Sequence, residues 1–288
     1  MWTIGRLLEW TRGYFTEHRL DQPRLCAEIL LAHALRCEKI SLYTRFEEVP
    51  SGEAIARFRE LVRRAARHEP IAHLAGSKEF FSLGFEVTGD VLIPRPETET
   101  LVELAIDEGR RRCDRPCRIL DLGTGSGCIG VALAKYLPDA RVVGTDISTK
   151  ALAIAERNVR KHGMSDRISL VEADGVRIPS GHVPGEGFDL ICCNPPYVAE
   201  RDRDSLPLTV RDFEPAGALF AGLDGLDFYR ALAGGIGGLL AGEGVMFLEI
   251  GFGQGEAVLG LFVESGLRHL GTAPDPAGIP RVVRFGKR

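Results

Sequence analysis

The chain has 288 residues, of which 44% are hydrophobic and 26% are charged, and its formal net charge is −4. This composition is typical of a globular protein, and the length exceeds what one core usually holds, so we expect one large domain or two unequal ones. The negative balance argues against a protein whose main partner is a nucleic-acid backbone.

Cysteine usage indicates a reducing compartment. None of the seven cysteines has the spacing of a disulfide framework, and Cys113 and Cys117 lack the second Cys or His pair of a zinc site. We therefore expect free thiols, no bound metal and a cytoplasmic protein. The opening segment MWTIGRLLEWTRGYF is interrupted by Arg6, Glu9 and Arg12, so neither a signal-peptide core nor a membrane-spanning helix is expected there.

Residues 1–75 are predicted to form a small helical domain. Thr3 and Asp21 stand where helix N-caps are expected, Asp21 just before Pro23, and LCAEILLAHAL repeats apolar residues at helical spacing. Ser51 can cap a further helix, AIARFRELVRRAARH. One face of that helix is apolar, and its arginine-rich face is interpreted as solvated charge.

The pattern changes to that of a hairpin in residues 76–95, which we expect to connect two domains. The segment EFFSLGFEVTGDVLIP alternates apolar and polar residues around Gly84 and Gly89, as paired strands do. Two prolines then interrupt the chain before a helix predicted over residues 97–111.

Strands and helices alternate through the predicted larger domain, residues 96–288. The expected strands are apolar runs: CRILDLG, RVVGTD, ISLVEAD, FDLICC, GVMFLEI and VVRF. Helices are expected between them, from Cys128, over 151–162, near 228–240 and near 256–265. Apolar strands separated by crossover helices indicate the α/β class, with a doubly wound, mostly parallel sheet.

A glycine-rich loop follows the first strand of this domain. Its candidate cofactor-binding residues are Asp121, Gly123, Thr124, Gly125, Ser126 and Gly127. A strand, a glycine turn and a helix bring the backbone close to a ligand at the carboxyl edge of a parallel sheet. Gly125, Gly127 and Gly130 also spell the GxGxxG of dinucleotide-binding proteins, so the loop alone leaves the cofactor open.

Three acids at predicted strand ends discriminate between cofactors. Asp146, about twenty residues past the loop, can accept both hydroxyls of a ribose, which suits any adenosine-bearing cofactor, NAD included. Asp121 beside the loop repels a pyrophosphate but suits the ammonium group of a methionine moiety. Asp174 or the backbone of Gly175 can reach an adenine amino group, although Asp174 can equally be a strand-end cap. Together the acids favour S-adenosylmethionine over NAD.

The fourth strand, FDLICC, is followed by Asn194, Pro195, Pro196 and Tyr197. A planar NH2 group is a poor nucleophile, but it can be aligned for attack if two acceptors hold its two hydrogens. The Asn194 side-chain oxygen and the Pro195 carbonyl can be those acceptors, and prolines make the turn stiff. Tyr197 offers a flat face on which a planar group can stack. The turn therefore predicts catalysis by alignment, with a simple strand-to-loop turn as the alternative.

These motifs together resemble a known family. Asn-Pro-Pro-Tyr after DLGTGSG is shared by methyltransferases that act on planar nitrogens, DNA adenine enzymes included. VLIPRPETETLVE resembles the IPRPETE signature of the protein-glutamine methyltransferases of peptide-chain release factors, often called HemK or PrmC. DFEPAGALFAGLDGLDFYR, FLEIGFGQGEAV and DPAGIPRVV resemble that family's downstream segments, and the match spans nearly the whole chain.

The resemblance implies a seven-stranded methyltransferase sheet, S-adenosylmethionine as cofactor, and methylation of the glutamine in the Gly-Gly-Gln motif of release factors. It implies that residues 1–75 recognise this protein substrate and that no nucleic acid or membrane is bound directly. We expect a monomer. The IPRPETE match implies that Arg95, Pro96, Glu97 and Thr98 help to close the cofactor pocket, while a structural role for each stays equally open.

The sequence departs from the family pattern at a few positions. Glu69 stands where the family usually has Gly, His73-Leu74 where it has Tyr-Ile, and Gly175 where a bulky residue often follows the third-strand acid. His68 and His73 are interpreted as ordinary residues of a domain junction.

Three other functions make different demands on the sequence. DNA or RNA adenine N6-methylation would use the same Asn194 but calls for a base-reading domain and a basic face. A non-catalytic cofactor-binding partner would not need both motifs intact. An NAD-dependent oxidoreductase would need a catalytic His or Tyr/Lys set beside the loop.

Overall fold

The computed structural model describes residues 1–112 and 115–288, so the prediction for Cys113 lies outside the described residues. The chain divides into two compact units. The helical unit comprises Met1–Ser77 and Pro207–Phe213, and the sheet unit comprises Lys78–Leu206 and Glu214–Arg288. The inclusion of residues 207–213 in the helical unit was not predicted.

The helical unit contains five consecutive helices and one later helical turn. They are α1 Ile4–Glu17, α2 Pro23–Leu35, α3 Lys39–Thr44, α4 Gly52–Ala65, α5 Ile71–Ala75 and the turn Leu208–Arg211. The apolar faces of α1 to α5 meet in a core of their own, which includes Phe15, Leu30 and Phe58. Two arginines of α4, Arg57 and Arg63, are paired on its surface with acids one turn away, which agrees with a solvated face.

Two of the three predicted N-caps are confirmed. The Thr3 hydroxyl accepts a hydrogen bond from the Arg6 amide at 3.3 Å, and the Ser51 hydroxyl accepts one from the Ala54 amide at 3.2 Å. Asp21 is not a cap: α2 begins after Gln22, which has a left-handed backbone (φ 50°) and makes no capping hydrogen bond with its side chain. Proline at the first helical position has no N–H to be capped and fixes its own φ, so this helix starts without an acceptor side chain.

A hairpin precedes the main sheet, with β1 at Ser77–Phe80 and β2 at Leu83–Glu86. The turn is not at Gly84 or Gly89 as the alternation suggested. It is formed by Phe81 (φ 51°) and Ser82 (φ 58°), both left-handed, which is the backbone that a two-residue hairpin turn requires.

The main sheet has seven strands in the order β5-β4-β3-β6-β7-β9-β8. The strands are β3 Arg118–Leu122, β4 Arg141–Asp146, β5 Ile168–Glu172, β6 Phe188–Cys193, β7 Leu240–Glu249, β8 Leu267–Pro274 and β9 Pro280–Lys287. All neighbours are parallel except that β9 runs antiparallel to β7 and to β8. The predicted doubly wound, mostly parallel seven-stranded sheet is therefore confirmed.

Helices cover both faces of this sheet, and its apolar side chains point alternately into two cores. The helices are α6 Thr98–Arg112, α7 Cys128–Tyr136, α8 Thr149–Lys161, α9 Asp227–Ala233 and α10 Gly255–Glu264. The helix predicted near 228–240 is shorter than expected, because glycines at 234 and 235 end it and β7 already begins at Leu240. Among the described helices, none is long and apolar enough to cross a membrane.

The strand order brings three chain segments to one edge. β3 pairs with β4 on one side and with β6 on the other, with Asp121 opposite Gly144 and Cys192. The residues that follow these three strands therefore lie together at the carboxyl edge of the sheet, where open α/β sheets bind ligands.

Candidate active site

The glycine-rich loop connects β3 to α7 in a conformation that few residues other than glycine adopt. Gly125 (φ 54°) and Gly127 (φ 80°) are left-handed, and Gly127 is the residue from which α7 starts. A Cβ on Gly127 would also lie 3.3 Å from the Cβ of Ala155 in α8. The loop thus exposes backbone at the start of a helix.

Asp121 lies beneath this loop and is fully buried. Its Oδ2 accepts hydrogen bonds from the Thr124 hydroxyl at 2.6 Å and from the Gly130 amide at 2.9 Å. Burial, together with the charge of Asp146, raises the pKa of Asp121 to about 6. Its Oδ1 is buried and has no hydrogen-bond partner among the described residues. A buried acceptor of this kind suits a cationic or N–H donor on a ligand.

Asp146, the last residue of β4, holds the loop in place. One carboxylate oxygen accepts from the Gly125 amide and the other from the Ser148 amide, each at 2.9 Å. Each oxygen keeps a further lone pair, so a pair of ligand hydroxyls can still be accepted.

Asp174 is not the strand-end residue that the sequence suggested. β5 ends at Glu172, and the Asp174 side chain is largely exposed and ion-paired with Arg177 at 3.3 Å. The alternation of ISLVEAD does not show where the hydrogen-bond ladder stops, and here it stops two residues early. Gly175 follows with a left-handed backbone (φ 55°).

The Asn-Pro-Pro-Tyr turn begins directly after β6. The Asn194 Nδ2 donates to the Thr98 hydroxyl oxygen at 3.0 Å, while its Oδ1 is buried without a hydrogen-bond partner in the described part of the chain. The Tyr197 carbonyl accepts from the Gln254 side chain at 2.9 Å. The turn is thus held at both ends, and it keeps one acceptor, Asn194 Oδ1, available to a ligand.

Comparisons with known proteins agree with this geometry. Residues 6–76 match the family model of the PrmC N-terminal domain, and residues 107–214 match that of the methyltransferase small domain. The release factor glutamine methyltransferase of Geobacter sulfurreducens is 44% identical over 283 residues, covering 98% of this chain and 96% of that protein. The chain belongs to the release factor glutamine methyltransferase family. The family's member from Rhodopirellula baltica is 50% identical, covering 80% of this chain and 78% of that protein.

Solved structures with lower identity support the fold alone. The human Mettl16 catalytic domain, solved in complex with MAT2A 3′UTR hairpin 6, is 17% identical with a TM-score of 0.56, covering 80% of this chain and 82% of that chain. A methyltransferase from Pyrococcus furiosus is 18% identical with a TM-score of 0.52, covering 77% of this chain and 95% of that chain.

Within this family member, sequence reasoning missed Glu249 as a site residue. Glu249 ends β7 and is 1% exposed. It accepts hydrogen bonds from the Thr98 hydroxyl at 2.6 Å and from the Tyr197 hydroxyl at 3.4 Å. The available signal was an acid at the end of an apolar strand, GVMFLE, at the same sheet edge as Asn194.

The IPRPETE segment is anchored by a second buried acid, Glu214. Its carboxylate accepts from Arg95 at 2.5 Å and from the Ile93 amide at 3.0 Å. The Arg95 guanidinium is therefore ion-paired, and it joins the segment to Glu214. Thr98 of the same segment is buried at the start of α6 and contacts Asn194 directly.

Proposed function

We propose that this chain transfers a methyl group from S-adenosylmethionine to the side-chain amide nitrogen of the glutamine in the Gly-Gly-Gln motif of release factors. The buried, unpaired Oδ1 of Asn194, at the sheet edge beside the glycine loop, carries the proposal. Family membership supports it, because the relatives that cover almost the whole chain are named for this activity.

The residues of the glycine loop and the strand-end acids fit the cofactor. The unpaired Oδ1 of Asp121 suits the ammonium group of the methionine moiety, and Asp146 suits the ribose hydroxyls. We also assign Gly123, Thr124, Gly125, Ser126, Gly127, Asp174, Gly175 and Asn194 to this pocket. When bound, the cofactor supplies an activated methyl group on a sulfonium.

The residues of the turn align the substrate. Asn194 Oδ1 and the Pro195 carbonyl accept the two hydrogens of the glutamine amide, and Pro195 and Pro196 limit the motion of these acceptors. Burial, with the neighbouring charge of Glu249, raises the pKa of Tyr197 to about 12, so its ring stays neutral and offers a flat stacking face. Alignment of this kind contributes up to ~7–11 kcal/mol in favourable cases.

The wider assignment follows from this reaction. A release factor is the protein partner, and residues 1–75 recognise it while residues 96–288 perform the transfer. The substrate acts in translation, which places the enzyme in the cytoplasm. We propose that it works as a monomer and without direct contact to nucleic acid.

A methyl-transfer assay tests this function. The chain is incubated with labelled S-adenosylmethionine and a release factor, the same factor with the motif glutamine changed to alanine, or duplex DNA. Label is expected on the intact factor alone. Label on DNA, or label on the alanine variant equal to that on the intact factor, would overturn the proposal.

A further inference from the structure

A chain of hydrogen bonds connects Glu249 to Asn194 through Thr98. Glu249 ends β7, Thr98 starts α6, and Asn194 follows β6, so three separate elements meet at this point. The Thr98 hydroxyl donates to Glu249 Oε2 at 2.6 Å, and its oxygen accepts from Asn194 Nδ2 at 3.0 Å. Thr98 and Glu249 are both buried, so solvent does not compete for these bonds.

The direction of these bonds is set by the chemistry of the three groups. An ionised carboxylate can only accept, and a hydroxyl has one hydrogen to donate. Once Thr98 gives its hydrogen to Glu249, the Thr98 oxygen can serve Asn194 only as an acceptor. The Asn194 amide must then turn its NH2 group towards Thr98 and its oxygen away, which is the orientation in the structure.

We propose that Glu249 is a positioning residue that fixes the hydrogen-bond polarity of Asn194 through Thr98. The amide then presents an acceptor to the substrate. The link to catalysis rests on the proposed function, since an acceptor is needed because the substrate is a planar NH2 group. The orientation of Asn194 does not depend on what the substrate is.

Protonation of Glu249 removes this constraint. A neutral carboxyl group can donate to the Thr98 oxygen, and the Thr98 hydrogen is then free to bond the oxygen of a rotated Asn194 amide. That amide would present its NH2 group to the substrate's NH2 group, so two donors would face each other. No covalent bond changes, and the proton on Glu249 comes from solvent.

The surroundings of Glu249 place this change near neutrality. Burial raises the pKa of Glu249 to about 7, and the charge of Glu97 adds to the rise while Thr98, Arg281 and Tyr197 oppose it. The titratable and charged groups that face Glu249 are Glu97, Arg281, Tyr197, Tyr229 and Cys193. Since the ionised form is the one that orients Asn194, the productive state is present above this pKa and is lost as the pH falls through it.

The chain offers a direct test, because Asn158 and Asn194 are its two asparagines. With 15N-asparagine as the label, the full-length protein shows two pairs of side-chain NH2 signals in an NMR spectrum. Asn158 is an internal control. Its Nδ2 donates to the backbone carbonyls of Glu86 and Ser126 at 3.0 and 2.9 Å, and a backbone carbonyl does not titrate. We expect the Asn194 signals to move with a midpoint near pH 7 and the Asn158 signals to stay.

Variants identify the group that titrates. E249Q and T98V are each expected to abolish the pH-dependent movement of the Asn194 signals, and T98S to restore it, because serine keeps the hydroxyl. E108Q is the matched control, since Glu108 is a buried acid on the same helix α6 that pairs with Arg111 and Arg112 instead. E108Q is expected to keep the wild-type titration. Asn194 signals that do not titrate, or that titrate unchanged in E249Q, would overturn the proposal.

The activity measurement separates this inference from the proposed function. For methylation of a release factor, kcat of the wild type is expected to fall about tenfold per pH unit below the midpoint, and to be flat with pH in E249Q. If E249Q keeps the wild-type pH profile, the positioning role is wrong even though the function holds. If the Asn194 signals follow the ionisation of Glu249 but no methyl group reaches the release factor, the hydrogen-bond chain is confirmed and the proposed substrate is wrong.

Discussion

Asp146 ends one of the two strands that flank β3 and Asn194 follows the other, yet the two residues make different contacts. One carboxylate oxygen of Asp146 accepts from the Gly125 amide of the glycine loop, and the other accepts from the amide of Ser148, the N-cap of α8. Asn194 makes no such contact and keeps its oxygen unpaired within the described residues. We propose that Asp146 builds the cofactor pocket and that Asn194, at the edge of this pocket, presents its side-chain oxygen to the substrate.

Alanine substitutions should separate these tasks. Asn194→Ala is expected to lower kcat by about 10²–10³ or more, the scale of losing one positioned polar group, with little change in cofactor Kd. Asp146→Ala should chiefly weaken cofactor binding, by about tenfold or more, because the hydrogen bond to the Gly125 amide of the glycine loop and the one to the Ser148 amide are both lost. Calorimetry gives Kd and single-turnover transfer gives the chemical rate. Normal turnover by Asn194→Ala would contradict the two-acceptor mechanism.

The ionised carboxylate of Asp121 is expected to lower the stability of the fold, because it is buried. Its pKa in the folded state, about 6, lies above the ordinary value of 3.8, mainly because the carboxyl group is buried. The folded state therefore binds more protons between these two values, and its stability falls as pH rises through that window and stays low above it. Asp121→Asn should thus raise the free energy of unfolding at pH 7.5 by up to ~3 kcal/mol while weakening cofactor binding.

Denaturant unfolding at pH 5 and pH 7.5 checks the sign. Asp189→Asn is the matched control. Burial acts to raise the pKa of Asp189, but its hydrogen bonds to Arg118 and Arg115 outweigh burial and lower this pKa. That substitution should destabilise the fold at pH 7.5. Equal losses of stability in both variants would show that Asp121 is not strained by its ionisation.

At the residue scale, strand patterns located the site better than they located its connections. The apolar runs show where the strands end, and this was enough to predict that Asp121, Asp146 and Asn194 lie at the carboxyl edge of the sheet. The role of Glu249 rests on a contact with Thr98, 151 residues away in the chain. No local sequence pattern predicts a contact between two residues so far apart in the chain, and a single sequence offers no other signal for it.

At the element scale, the Asn-Pro-Pro-Tyr turn is held by neighbouring loops as well as by its prolines. The Val198 amide donates to the Leu219 carbonyl at 2.8 Å, and Gln254 binds the Tyr197 carbonyl. Gly225 closes against the same carbonyl: its φ is 77°, and a Cβ there would lie 2.4 Å from the Tyr197 oxygen. The position of the turn therefore depends on a residue without a side chain at position 225.

Gly225→Ala should displace this turn. We expect a loss of about 1–3 kcal/mol in stability and a larger proportional loss in methyl transfer than in cofactor affinity, since the clash meets the turn and not the glycine loop. Gly217→Ala is the matched control, because nothing lies within 4 Å of a Cβ at that position. Thermal unfolding and kcat measure both effects. An alanine at 225 that leaves both quantities at the control's level would show that the turn is not constrained there.

The prediction of elements succeeded where burial produces a run of apolar residues. It failed at an exposed edge strand and at the hairpin turn. The parallel strands contain apolar runs, which the two cores of the sheet bury, and these strands are present as expected. β8, LRHLGTAP, was not predicted, because as an edge strand it buries only Leu267 and shows no apolar run. The hairpin turn was misplaced because Phe81 and Ser82 take left-handed backbones that glycine usually takes.

At the scale of the whole molecule, the two units have separate cores, and the proposed cofactor residues all belong to the sheet unit. The family-model match over residues 6–76 lies within the helical unit, and the match over residues 107–214 lies in the sheet unit except for residues 207–213. We propose that the cofactor stabilises the sheet unit and leaves the stability of the helical unit to its own packing.

Hydrogen exchange with and without S-adenosylmethionine tests this division. A ligand at about 100 times its Kd stabilises the unit that binds it by ~2.7 kcal/mol, so amides in β3, α7 and β6 should exchange about 100-fold more slowly if they open with that unit. Amides in α2 and α4 should keep their rates, because the core around Leu30 and Phe58 contains no proposed cofactor residue. Asp146→Ala, measured at the same cofactor concentration, should reduce the slowing in the sheet unit. Equal slowing of α2 and α4 in the wild type would show that the two units open together, and the proposed independence of the helical unit would be wrong.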